Sequence, residues 1–184
     1  MNLPTAKPQP APNNGEAAAL PRGWPLAPLD AVCIRLTGTR DPRTKPDQPF
    51  RYVDISSVDN RLKRVTGAKQ LLGKDAPSRA RQMIRANDVL VATTRPNLNA
   101  VALVPKELDG EICSTGFCVL RSNGEVEPES LFAFVQAETF VRSLSELVKG
   151  ALYPAVRTNK FARRSCRCRR WRSSGGLRRG CTSN

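Results

Sequence analysis

Histidine is absent from all 184 residues of the chain. This excludes Ser-His-Asp and Cys-His nucleophilic catalysis, and every zinc site that needs an imidazole. Paired carboxylates in a recognisable catalytic setting are missing too, so an enzyme reading has little to stand on. No run of about 18 apolar residues occurs, and no membrane span is indicated. The N-terminus lacks a charged start followed by an apolar signal core, which makes a cytoplasmic, reducing compartment the expectation. Aromatic residues make up only 5% of the chain. A binder of single-stranded nucleic acid needs exposed aromatic platforms, and such a supply is thin.

Basic residues are abundant. The formal net charge is +14, which points to a polyanionic partner, most commonly nucleic acid. The charge is unevenly spread: Phe161 to Asn184 holds eight arginines and no acid, so residues 1–160 carry 22 basic against 16 acidic groups, a net +6. The body is mildly basic and the C-terminal tail inflates the total. With 40% hydrophobic residues the chain suffices for one domain with a real core. Cys33, Cys113 and Cys118 are scattered through the body, as small buried hydrophobes usually are in a reducing compartment. Cys166, Cys168 and Cys181 lack a fourth ligand and a paired spacing, which makes a zinc clip improbable.

Residues 1–22 hold five prolines and few large apolar side chains, and are expected to form a poorly ordered Pro/Ala-rich leader. GWPLAPLDAVCIRLTG then brings an apolar cluster, with Trp24 as a packing anchor. TRDPRTKPDQPF reads as an exposed loop, and RYVDISSV as a strand. The base-rich stretch that follows ends, from Ser78, in what reads as a short helix. DVLVATT, AVALVP and EICSTGFCVLR read as three strands, with RPNLN joining the first two and SNGE closing the third. Leu131, Phe134, Val135, Phe140, Val141, Leu144, Leu147 and Val148 fall at three- and four-residue steps, which predicts one long amphipathic helix from Pro128 to Lys149. The fold class expected is α/β (α+β).

GWPLAPLDAVC, RYVDISSV, NDVLVATTRPNLNAVALVP, STGFCVLR and LFAFVQAETFVRSLSELVKGALYPAV, in this order, resemble the DNA-specificity subunit of type I restriction-modification systems. The resemblance covers residues 23–157 and implies one target-recognition domain with a mixed, strongly bent sheet and a long C-terminal helix. It implies a non-catalytic subunit that reads one half of a bipartite double-stranded DNA target. Its implied partners are a methyltransferase (modification) subunit, a restriction subunit and a second specificity half, with no membrane. S-adenosylmethionine, ATP and Mg are then expected on the partner subunits, and no cofactor in this chain.

The tail, residues 158–184, departs from the family, whose members continue with a Pro-rich segment of the type PLPPLAEQRRIA. Written with a synonymous, GC-rich choice of codons, Cys166 to Cys181 reads one base earlier as LPLPPLAEQRRIAARL. The expectation is a frameshift near Lys160 or Phe161 that leaves an aberrant tail and a C-terminally truncated subunit. The competing reading is a basic arm that binds phosphates nonspecifically.

Base-edge contacts need Arg or Lys for guanine and Asn or Gln for adenine, held on a rigid support. The candidates are Arg40, Arg43 and Lys45 in the proline-rich loop, and Thr94, Arg95, Asn97 and Asn99 between the strands. Arg61, Lys63, Arg64 and Lys69 suit phosphate contact better. The plainer reading makes many of these solvated charges, and makes Asn97 and Asn99 bond to the local backbone. The helix from Pro128 is expected to pack on the sheet, with docking of the methyltransferase as the alternative. A different class of function, a nonspecific single-strand binder using the basic tail, is the runner-up.

Overall fold

A computed structural model describes residues 26–34, 36 and 39–147, and the backbone of 165–167. The leader, Trp24, Val148 and the rest of the tail lie outside the described residues. The strands are β1 (Leu26–Pro28), β2 (Cys33–Ile34), β3 (Pro49–Val53), β4 (Val58–Asp59), β5 (Arg64–Val65), β6 (Lys69–Leu72), β7 (Ala80–Met83), β8 (Val89–Ala92), β9 (Val101–Leu103), β10 (Ile112–Ser114), β11 (Phe117–Ser122) and β12 (Ser165–Arg167). The helices are α1 (Leu29–Val32), α2 (Pro128–Gln136) and α3 (Glu138–Leu147). Two mixed sheets result, one of six strands ordered β2-β11-β8-β9-β5-β4 and one of four ordered β6-β3-β10-β7. The α+β class is as expected. β1 pairs antiparallel with β12, which ties the backbone of three tail residues to the start of the domain.

Strict alternation along the central strands explains the layering. Val89 and Val91 of β8, Val101 of β9, and Cys118 and Leu120 of β11 face the helices, where they meet Leu29, Leu131, Val135, Phe140 and Leu144. The intervening Leu90, Ala92, Ala102, Phe117 and Val119 face the second sheet, meeting Val53, Ile84 and Cys113. A strand covered on both faces reads as an unbroken apolar run, as VLVA does. Phe50, Tyr52, Ala76, Ala80 and Ile112 form a third cluster on the far side of the four-stranded sheet.

Three expectations need correction. The stretch from Ser78 is not a helix: Ala80–Met83 is a strand pairing with β10, and Ala80 and Ile84 are buried in two different clusters. Pairing between distant strands overrides local propensity here. EICSTGFCVLR is two strands, with β10 in the four-stranded sheet and β11 in the six-stranded one. The chain crosses between the sheets at Thr115 and Gly116, where Gly116 N–H donates to Ser114 Oγ at 3.1 Å. Finally, the helix from Pro128 is two helices separated by Ala137, whose backbone is extended (φ −59°, ψ 136°). In a straight helix Phe140 would stand about 140° round from Val135. The break turns both onto the same core, and the rings of Phe134 and Phe140 pack across the corner with centroids 5.0 Å apart.

Candidate nucleic-acid interface

Two loops at the β9–β5–β4 side of the six-stranded sheet carry most of the candidate residues. The first joins β4 to β5. Asp59 accepts hydrogen bonds from the backbone N–H groups of Arg61 and Leu62, both at 2.8 Å. Those bonds hold its carboxyl below the usual carboxylate range. Arg61 and Arg64 are exposed on either side of Lys63. The second loop joins β8 to β9 through a single 3-10 turn, Pro96–Leu98. Pro96 is buried and with Asn99 lines a cavity of about 10 Å³ whose other walls include Phe140, Val141 and Leu144 of α3. Arg95 and Asn97 are exposed, and Thr94 is half-buried.

The two loops are stitched together. Lys63 Nζ donates to the backbone carbonyl of Asn99 at 2.5 Å, and its burial there pushes the pKa of the ammonium down. Asn99 Nδ2 in turn reaches the carbonyl of Gln136 at 3.4 Å, at the break between α2 and α3. Lys63, Arg95 and Asn99 have φ of 54°, 49° and 47°, three of the four non-glycine residues with positive φ among the described residues. Left-handed backbone at a side-chain-bearing residue costs of order 1–3 kcal/mol and tends to gather where function needs a fixed geometry. Here it fixes which way Arg61, Arg64, Arg95 and Asn97 are presented.

The proline-rich loop lies with the other sheet. Thr39 bridges to Gln82 of β7, and Arg40 N–H donates to the carbonyl of Arg81 at 2.8 Å. Asp41 caps the short turn Pro42–Thr44 through Arg43 N–H at 3.1 Å, accepts from Arg43 Nε at 3.2 Å, and pairs with Arg81. The guanidinium of Arg43 is thus engaged inside the loop, while Lys45 is exposed. The same segment docks on residues after β6, where Gly73 N–H donates to Gln48 O at 3.1 Å and Lys74 N–H to Pro46 O at 2.9 Å. Hydrogen bonds run from one candidate region towards the other: Thr93 Oγ1 to Gly116 O at 2.8 Å, then Thr115 N–H to Arg79 O at 2.9 Å. Arg79 precedes β7, whose Arg81 holds Asp41.

Lys69 stands apart, on the edge strand β6, with its Nζ 2.6 Å from Asp54 Oδ2. Although partial burial would raise the Asp54 pKa, hydrogen bonds from Lys69, Ser56 and Ser57 lower it to about 2. A carboxyl whose pKa is depressed on folding adds stability above its unfolded pKa and loses it as the pH falls through the folded one. The contribution of Asp54 is therefore complete above about pH 4 and disappears towards pH 2. Urea unfolding at pH 6 and pH 3 should show a smaller drop in midpoint for Asp54→Asn than for the natural chain.

The structure brings Arg61, Lys63 and Arg64 together with Thr94, Arg95, Asn97 and Asn99, and sets Arg40, Arg43 and Lys45 in a second group. Arg40, Lys45, Arg61, Arg64 and Arg95 make no ion pair within 4 Å to a described residue. Among the described residues no group of three or more metal-ligating side chains is placed to hold an ion. No helix among them is long and apolar enough to cross a membrane. Sequence reasoning missed Gly73 and Arg81, which position the proline-rich loop; neither sits in a recognisable motif, and their roles depend on residues distant in sequence.

Solved structures place this architecture. The chain is similar to the HsdS subunit from Thermoanaerobacter tengcongensis, with a TM-score of 0.76 and 44% identity over 82% of this chain and 39% of that one. It is also similar to a chain from a structure concerned with complex assembly and conformational transition of the type I R-M system, with a TM-score of 0.74 and 46% identity over 79% of this chain and 38% of that one. It belongs to the type I R-M specificity subunits. No protein-family model matches the chain, and no curated protein matches it. This HsdS relative spans about two fifths of the length of the solved specificity-subunit chains it resembles.

Proposed function

We propose that residues 23–157 are a target-recognition domain that reads one half of a bipartite double-stranded DNA site and has no catalytic role of its own. The observation that carries this reading is the stitched pair of loops, in which three left-handed residues present Arg61, Arg64, Arg95 and Asn97 from a rigid sheet. Arg95 and Asn97, with Thr94, are assigned to base edges, where Arg matches guanine and Asn matches adenine. Arg61, Arg64 and Lys69 are assigned to phosphates, and Arg40, Arg43 and Lys45 to a second stretch of the same duplex. Lys63 and Asn99 hold the loops in register. The methyltransferase and restriction subunits, guided by this domain and a second specificity half, would supply the chemistry together with S-adenosylmethionine, ATP and Mg.

A single-strand binder is disfavoured by the placement of the aromatics. Phe50, Tyr52, Phe117 and Phe140 are buried, and none of the exposed large hydrophobics among the described residues is aromatic. Stacking platforms of the kind such proteins use are lacking there.

The test is selection of duplexes from a random pool by the full chain, followed by titration of the enriched sequence. Arg95→Ala should weaken binding by about 1–3 kcal/mol and relax preference at one base pair. Arg64→Ala should weaken all duplexes alike and reduce the salt slope by about 1. Equal binding to every duplex and to single strands, with one common salt dependence, would overturn the reading.

A further inference from the structure

The proline-rich loop sets one carboxylate against two arginines. Asp41 accepts from Arg43 Nε at 3.2 Å and from Arg43 Nη2 at 3.4 Å, and it also pairs with Arg81 of β7. Its Oδ1 takes the backbone N–H of Arg43 as well, at 3.1 Å. Capping the turn needs only that last bond. An exposed ion pair adds little to stability, because the cost of ordering the side chains offsets a weak attraction in water. The remaining contacts therefore bear on where the Arg43 guanidinium is held.

The support beneath it is rigid. The Arg81 side chain is 23% exposed, and the backbone carbonyl of Arg81 accepts from Arg40 N–H at 2.8 Å. At the other end of the loop, Pro46 O and Gln48 O accept from Lys74 N–H and Gly73 N–H. The Arg43 side chain itself is 46% exposed.

A guanidinium carries five N–H donors in a planar fork. Asp41 occupies the side edge, Nε and one N–H of Nη2, and the outer edge, Nη1 with the other N–H of Nη2, has no bond to a described residue. Two parallel donors on a preset plane match O6 and N7 of guanine in the major groove. A phosphate could accept from the same edge, but there Asp41 works against binding, since its charge offsets the attraction that draws phosphate in. Guanine is neutral, so it loses little of that attraction and gains the fixed geometry. Arg40 and Lys45 of the same loop have no ion pair among the described residues and suit phosphates better.

We propose that Arg43 is a specificity-determining residue that reads one guanine through its outer edge, with Asp41 and Arg81 as positioning residues that fix the plane of its guanidinium. The inference rests on the reading of this domain as a duplex reader, and assigns a base to the proline-rich loop.

The experiment uses the full 184-residue chain and the duplex it selects from a random pool, made also with 7-deazaguanine in place of each guanine in turn. This base lacks the N7 acceptor and keeps O6 and its pairing with cytosine. At one position it should weaken binding by about fivefold. Arg43→Ala should cost roughly 10- to 100-fold, and 7-deazaguanine at that position should cost the variant nothing more. Arg43→Lys keeps the charge and loses the fork, so it should lose nearly as much. Asp41→Asn should act in two directions, binding random duplexes more tightly because a carboxylate is gone, and discriminating less well at the guanine. A merely structural Asp41 would weaken both. Asn caps a turn as well as Asp does, and Arg43 is exposed, so circular dichroism of all three variants should match the natural chain; if Asp41→Asn misfolds, the two Arg43 variants still decide.

Three results would overturn the proposal. If Arg43→Lys binds as tightly as the natural chain while Arg43→Ala weakens every duplex alike, Arg43 holds a phosphate. If Arg43→Ala silences the effect of 7-deazaguanine at no position of the selected duplex, Arg43 reads no guanine and the inference alone is sunk. If selection yields no preferred duplex at all, the reading of the domain fails and this inference falls with it.

Discussion

Replacing Asp88 by alanine is expected to destabilise the domain by about 3–5 kcal/mol, the cost of breaking a buried ion pair by removing one partner. Asp88 is only 1% exposed, and its carboxylate accepts from Arg121 Nε and Nη2, both at 2.7 Å. A third bond comes from the backbone N–H of Arg85 at 2.8 Å. The pair joins the turn before β8 to the end of β11, two neighbouring strands of the larger sheet. Without Asp88 the Arg121 guanidinium, whose side chain is 19% exposed, keeps its charge with no ion pair and only the more distant carboxylate of Asp109 to offset it. Its pKa is raised above the ordinary value, first by the hydrogen bonds it donates to Asp88, and a guanidinium keeps its charge even without them, so deprotonation offers no escape. Urea unfolding should give the loss directly, and Arg121→Ala should fall in the same range. Combining Asp88→Leu with Arg121→Met should recover much of it, because a well-packed apolar pair removes both desolvation penalties. A loss below 1 kcal/mol for Asp88→Ala would refute this account.

Gly73→Ala should cost about 3 kcal/mol and also disturb DNA binding, although Gly73 bears none of the proposed contacts. A Cβ there would lie 2.1 Å from Lys45 O and 2.4 Å from Pro42 O. Those neighbours are backbone atoms of the capped turn Pro42–Thr44, held by Asp41 and by Gln48, so they cannot swing aside as a flexible side chain would. Overpacking against a fixed backbone normally costs 1–3 kcal/mol. Here it also pushes the loop that carries Arg40, Arg43 and Lys45. The adjacent Lys74 is exposed, and Lys74→Ala should change stability by less than about 0.5 kcal/mol. Thermal unfolding and duplex titration of the two variants separate a loop displacement from a loss of charge. Equal stability of Gly73→Ala and the natural chain would show that the loop can shift at little cost.

Much of the fold is legible in short windows of sequence. VLVA and VAL are unbroken apolar runs between turn residues, and they form the central strands β8 and β9. Leu131 and Val135, four apart, mark one helical face. Phe140 and Leu144 mark another, and the slip in phase between the pairs is the trace of the break at Ala137. Arg61, Lys63, Arg64 and the RPNLN turn were identifiable as loop cations and loop amides. Their proximity was not, because the bond from Lys63 to Asn99 spans 36 residues.

By itself the sequence determined the α+β class, the absence of imidazole chemistry, the basic loops and the order of segments shared with type I R-M specificity subunits. The first three follow from composition or from a local period of two or of 3.6 residues, and the last is a resemblance of segments in their order. Tertiary structure alone decided that Ala80–Met83 is a strand, that Thr115 and Gly116 carry the chain from one sheet to the other, and that Gly73 seats the proline-rich loop. It also decided that the β4–β5 and β8–β9 loops meet through Lys63 and Asn99. The physical reason is common to all four: the groups that fix these features lie far away along the chain or on another element. Asp88 and Arg121, 33 residues apart, show the same dependence, since their pairing exists only once β8 and β11 have met.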